Sequence, residues 1–123
     1  LAVRYQGNGG FSALFTGDIS SAAEDELVRE GTGSYDMLQI PHHGSKNSAD
    51  SDFLERISPF VAIISAGIDN EYGHPHKEML SLLEDAKVTT YITAERGEID
   101  IRLSGHGSRG KCYVECFKKY DCL

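Results

Sequence analysis

The chain has 123 residues, 40% hydrophobic and 25% charged, the proportions of an ordinary globular domain long enough to bury a core. Nothing in it approaches the ~20 apolar residues of a membrane span, and no signal-peptide pattern opens it. A formal net charge of −7 argues against holding a nucleic-acid backbone through cationic patches alone, although bound dications would supply charge that a residue count omits. The chain opens on Leu1 rather than Met, so it is expected to be a piece of a larger protein.

Leu1 to Tyr5 alternates apolar and polar, Gly7-Asn8-Gly9-Gly10 supplies turn residues, and Phe11 to Phe15 is apolar again, which predicts a hairpin. After Asp18, Ser20 or Ser21 can cap a helix through about Glu30, with Ala23, Leu27 and Val28 on its buried face and Gly31 and Gly33 ending it. Met37 to Ile40 reads as a buried strand stopped by Pro41. Ser48 or Asp50 caps a short helix carrying Phe53, Leu54 and Ile57, and Val61 to Ile64 is a strand of the kind covered on both faces. A polar loop from Ser65 to His76 is longer than a simple connection requires. Glu78 to Ala86 is helical through Met79, Leu82 and Leu83; Thr89–Thr93 and Ile99–Leu103 close as strands around Arg96-Gly97-Glu98. The order predicts an α/β domain with helices packed on a mixed sheet over residues 1–103. Residues 104–123 form a tail holding all three cysteines, Cys112, Cys116 and Cys122, whose spacing fits no familiar zinc pattern and whose odd number leaves at least one unpaired unless it bonds another chain.

Three strand ends release chemistry into loops. Phe15-Thr16-Gly17-Asp18 delivers a carboxylate that can bridge two metal ions roughly 3.5–4 Å apart, although alone it also reads as a turn whose Asp caps the next helix. Ile40-Pro41-His42-His43-Gly44-Ser45 delivers two imidazoles that diverge on an extended chain, so one can serve a metal or substrate while the other meets a supporting carboxylate or carbonyl. Ser45 can donate to an oxyanion or cap the segment after it. In Asn70-Glu71-Tyr72-Gly73-His74-Pro75-His76, Asn70 and Tyr72 can reach a phosphate or hydroxyl, while His76 either faces substrate or caps the next helix. Sheets of this class place ligands at strand carboxyl ends, where all three loops lie.

These three motifs together resemble the carboxyl-terminal half of the metallo-β-lactamase superfamily, in the form found in the hydrolase domain of ComEC-like competence proteins. The resemblance implies half of an αββα sandwich and two divalent metals, zinc or manganese, that activate water. It implies that Asp18 and His74 are metal ligands and that His42 and His43 are catalytic, without choosing which of them meets a metal; from their own loop chemistry Ser45, Asn70, Tyr72 and His76 are expected to bind substrate. The substrate would be DNA or another phosphodiester, and a competence-type parent would place the domain on the extracytoplasmic face of a bacterial membrane. The family's His-x-His-x-Asp-His signature is absent from these 123 residues. The chain is therefore expected to need the missing amino-terminal half as partner, to bind metal weakly or not at all alone, and to expose a sheet face that invites homodimerisation. A non-catalytic binding or assembly module of the same fold is the alternative, and a carbon–sulfur or amide hydrolase a third.

Overall fold

The computed structural model describes residues 1–5, 10–104 and 111–117. Strands β1 (Ala2–Tyr5), β2 (Phe11–Phe15), β3 (Met37–Gln39), β4 (Val61–Ile64) and β5 (Thr89–Ile92) lie side by side in chain order. β1 is antiparallel to β2, and β2 to β5 are parallel to one another. Helices α1 (Ser21–Arg29), α2 (Ser51–Ile57) and α3 (Lys77–Asp85) fill the three parallel crossovers. Crossovers of one hand that step in one direction put every helix on the same face. The core shows it: Leu14, Leu38, Ile40, Ala62 and Ile64 of the sheet pack with Phe53, Leu54 and Ile57 of α2 and Met79 and Leu83 of α3. The expected mixed α/β sheet with helices packed on it is what forms.

The helix boundaries obey their caps. The Ser20 hydroxyl accepts from the Ala23 amide at the start of α1, and Asp50 accepts from Phe53 at the start of α2. Gly31, at φ +74, ends α1 in the left-handed turn that glycine favours.

Both strands expected around Arg96-Gly97-Glu98 form, over Thr89–Ile92 and Glu98–Ser104, but they belong to different sheets. Between them Thr93–Arg96 is a helical turn, α4. The Thr93 hydroxyl hydrogen-bonds both the amide and the carbonyl of Ala66, at 2.9 Å each, which turns the chain away from β5. Strand β6 (Glu98–Ser104) then leaves the main sheet and pairs antiparallel with β7 (Lys111–Phe117). The tail thus carries a strand that its Gly- and Ser-rich surroundings conceal. Cys112 and Cys116 stand in register with Leu103 and Ile99, while Cys122 lies outside the described residues.

Candidate functional site

Because β2, β3 and β4 are adjacent and parallel, their carboxyl ends bring the three loops to one edge. The loops are then laced by hydrogen bonds. The Gln39 side chain accepts from the amides of Thr16 and Gly17 at 3.1 and 2.8 Å, and the Thr16 hydroxyl donates to the Gln39 carbonyl at 2.6 Å. The His42 amide donates to the Gly17 carbonyl, and the His76 amide to the Gly44 carbonyl. His76 Nδ1 accepts from the Lys46 amide at 3.1 Å. Gly44, at φ +83, sits so close to the third loop that a Cβ there would meet Pro75 Cβ at 2.6 Å.

His42 and His43 both adopt left-handed backbone angles (φ 47 and 55), so the turn is not an extended strand end and the rings part company. His43 faces the site. Its Nδ1 lies 2.6 Å from the Ser65 carbonyl, which can only accept, so Nδ1 is the N–H and the neutral ring carries its lone pair on Nε2. That Nε2 lies 3.7 Å from Asp18 Oδ1. A nitrogen lone pair opposed to a carboxylate oxygen is repulsive unless a proton or a cation lies between them. His42 stays exposed beside these groups.

The third loop supplies a stack of rings. His74 lies nearly parallel to His43, with centroids 6.4 Å apart, and Tyr72 nearly parallel to His74 at 5.7 Å. His76 meets His74 edge-on at 4.7 Å. Desolvation holds the His74 pKa below the usual histidine value, and His76, His43 and His42 push the same way. Its ring is therefore uncharged at neutral pH. A cleft of about 290 Å³ runs between His43, Ser65, Ala66, Gly67, Asn70, Tyr72 and His74.

Asp18, His43, His74, Tyr72 and Asn70 are thus gathered as the sequence suggests, with two qualifications. The Asn70 amide is committed within its own loop, donating to the carbonyls of Gly67 and His74 and accepting from the His74 amide. His76 stands at the N-cap of α3 but makes no side-chain cap bond, because its Nδ1 holds Lys46 instead. Ser45 Oγ accepts a long 3.4 Å bond from the Asn47 amide. Among the described residues no three His, Cys, Asp or Glu side chains converge as a metal site. The donors present are a carboxylate and a neutral imidazole of the right chemistry, and they do not close a coordination shell by themselves.

Two supporting residues carry weaker signals in the sequence. Gln39 anchors the Thr16-Gly17 turn, and nothing in a lone glutamine at a strand end announces it. Glu24 is buried in the first turn of α1, 3% exposed, with Oε2 accepting from the Ala49 amide at 2.8 Å and Oε1 without a partner. Its signal is present: Glu24 precedes Leu27 and Val28 by three and four residues, on the same helix face. Ala49 holds a left-handed φ of 48, and its neighbour Ser48 donates to the carbonyls of Pro41 and Ser45. The Glu24 contact therefore braces the turn that carries the two histidines.

Known proteins share this stretch of sequence. No family model matches the chain. ComE operon protein 3 of Bacillus subtilis (strain 168) is 37% identical over 101 residues, which are 81% of this chain and 13% of that protein. Recombination protein 2 of Haemophilus influenzae is 36% identical over 90 residues, 73% of this chain and 11% of that protein. The relatives are competence-related proteins. Competence protein ComA of Neisseria gonorrhoeae is 39% identical over 69 residues, again a tenth (10%) of its length. The chain thus spans a small part of each competence protein it matches, and the similarity links it to competence.

Proposed function

We propose that the chain is the carboxyl-terminal half of a metallo-β-lactamase-type hydrolase domain within a DNA-uptake protein, and that the complete domain cleaves phosphodiesters. The names of the relatives support the link to DNA uptake. The observation that carries the chemistry is His43, whose Nδ1 is held by the Ser65 carbonyl and whose Nε2 faces the Asp18 carboxylate across 3.7 Å. Such a pair, with a neutral His74 beside it, is one side of a cation-binding site. The remaining ligands would come from sequence preceding residue 1 in the parent.

Divalent metals, when bound in the complete domain, would supply hydroxide near neutral pH by lowering the pKa of water to about 7. The residues of this chain orient and exclude. Gln39 fixes the turn before Asp18, Ser65 fixes the tautomer of His43, and the His74 ring walls one side of the cleft. Exposed His42 and half-buried Ser45 border the same edge as donors to substrate oxygen.

The test compares this chain with one extended upstream through the missing half, measuring metal content and hydrolysis of bis-p-nitrophenyl phosphate. The extended protein is expected to bind about two metals and to lose its hydrolysis at least 100-fold on Asp18→Ala or His43→Ala. A protein that binds no metal and is inert in both forms would instead be a binding or assembly module.

A further inference from the structure

The rings of Tyr72, His74 and His43 form an offset ladder that begins at the Asp18 pair and ends at the surface. Its outer rung is Tyr72, 75% exposed, a large aromatic with one face on His74 and no ring on the other among the described residues. An exposed tyrosine is ordinarily of no consequence, but three features set this one apart. The separations, 5.7 and 6.4 Å, and the tilts, 23° and 25°, are those of stacked aromatic pairs, so the ladder has a fixed pitch and direction. The Asn70 side-chain amide bonds both the amide and the carbonyl of His74 and so holds the backbone of the middle rung. The cleft of about 290 Å³ opens beside the ladder, between Tyr72 and His43.

A flat aromatic ligand would continue this ladder outward while its attached groups reach inward along the cleft. The charge of the chain narrows the choice. With a net charge of −7 and an acidic pI near 5.1, a phosphate backbone gains little from diffuse attraction to this surface. Stacking does not depend on charge, and every base has a π-face, but the face must be unpaired to be offered. We propose that Tyr72 is a stacking platform for a nucleobase of single-stranded nucleic acid, which sets a phosphodiester of that strand in the cleft between Tyr72 and His43. This deepens the hydrolase reading and rests on it for the fate of the phosphodiester, but the stacking can be measured alone.

The chain contains no tryptophan, so Tyr72→Trp places a unique fluorophore on the outer rung. In the full chain, an unpaired oligonucleotide should quench this fluorophore with a saturable dependence on concentration. An abasic strand of equal length keeps every phosphate and should bind about tenfold more weakly, the loss of one stacked base. Tyr72→Ala should show the same tenfold loss on the ordinary strand and no further loss on the abasic one, while Tyr72→Phe keeps the affinity. Equal binding of ordinary and abasic strands, no quenching by either, or duplex binding as tight as single strand would each overturn the platform. Failure of the hydrolase reading looks different: stacking persists while the extended protein leaves bis-p-nitrophenyl phosphate intact.

Discussion

At the scale of single residues, Glu24 shows how a helix outside the cleft supports it. Burial raises its carboxyl above the ordinary value of 4.5; Asp50 and Asp25 add to the rise, while the Ala49 amide and His42 oppose it. A carboxyl with a raised folded-state pKa binds more protons folded than unfolded across the interval from its ordinary to its raised value. Stability therefore falls as pH climbs through that interval and stays lower above it. Glu24→Gln keeps an acceptor for the Ala49 amide and removes the titration. Its urea-unfolding free energy should change less than that of the wild type between about pH 5 and pH 8, and exceed it at the upper end. Parallel curves for the two proteins would show that Glu24 is not buried as described. Glu24→Ala leaves the fully buried Ala49 amide without its acceptor and should cost about 1–3 kcal/mol at either pH.

Between elements, the decisive contact is that of the histidine turn with the loop before α3. Gly44 and Gly17 both hold positive φ, +83 and +61, but only Gly44 has a neighbour in the way. Gly17→Ala should cost about 1–2 kcal/mol, for left-handed backbone alone. Gly44→Ala adds the collision with Pro75 and Ile64 and should cost about 2–4 kcal/mol by thermal or denaturant unfolding. Equal costs at the two glycines would mean that the loops are not packed together. The strands and helices around these loops were legible because their signals are local: alternation in β1, the apolar run of β2, caps at Ser20 and Asp50, and the 3.6-residue period through Met79 and Leu83. The loops were legible as chemistry, since Asp18, His43 and His74 each come after a parallel strand. What no local pattern contains is direction. The Ser65 carbonyl turns His43 rather than His42 toward Asp18, and that contact spans 22 residues. The helical turn at Thr93 was hidden for the same reason, since its hydroxyl answers to Ala66, 27 residues away.

At the scale of the whole molecule, the two faces of the sheet differ. Helices cover one. On the other, Ala13, Met37 and Val61 are buried with partial cover from Phe11, Ile63, Tyr91 and Ile101 of β6. Among the described residues the cover ends toward β1: by register Val3 and Tyr5 share this face with Ala13 and Phe11, and they are exposed, as are Phe15 and Leu1 beside it. A contiguous apolar band of this kind is uncommon on a free surface. On the proposed reading of the chain as half of a domain, the other half covers it in the parent and a second copy of the chain covers it in isolation. Charge opposes that self-association, because each copy carries −7. Salt shortens the reach of the repulsion to about 8 Å at 0.15 M and leaves the gain from apolar burial intact. Sedimentation should therefore show dimers that become more abundant with protein and with salt. Val3→Lys together with Phe15→Lys should return the chain to monomer, and extension upstream should do so without any substitution. Dimers that weaken with salt would mean an ionic interface elsewhere, and a chain monomeric under every condition would remove the open face from the account.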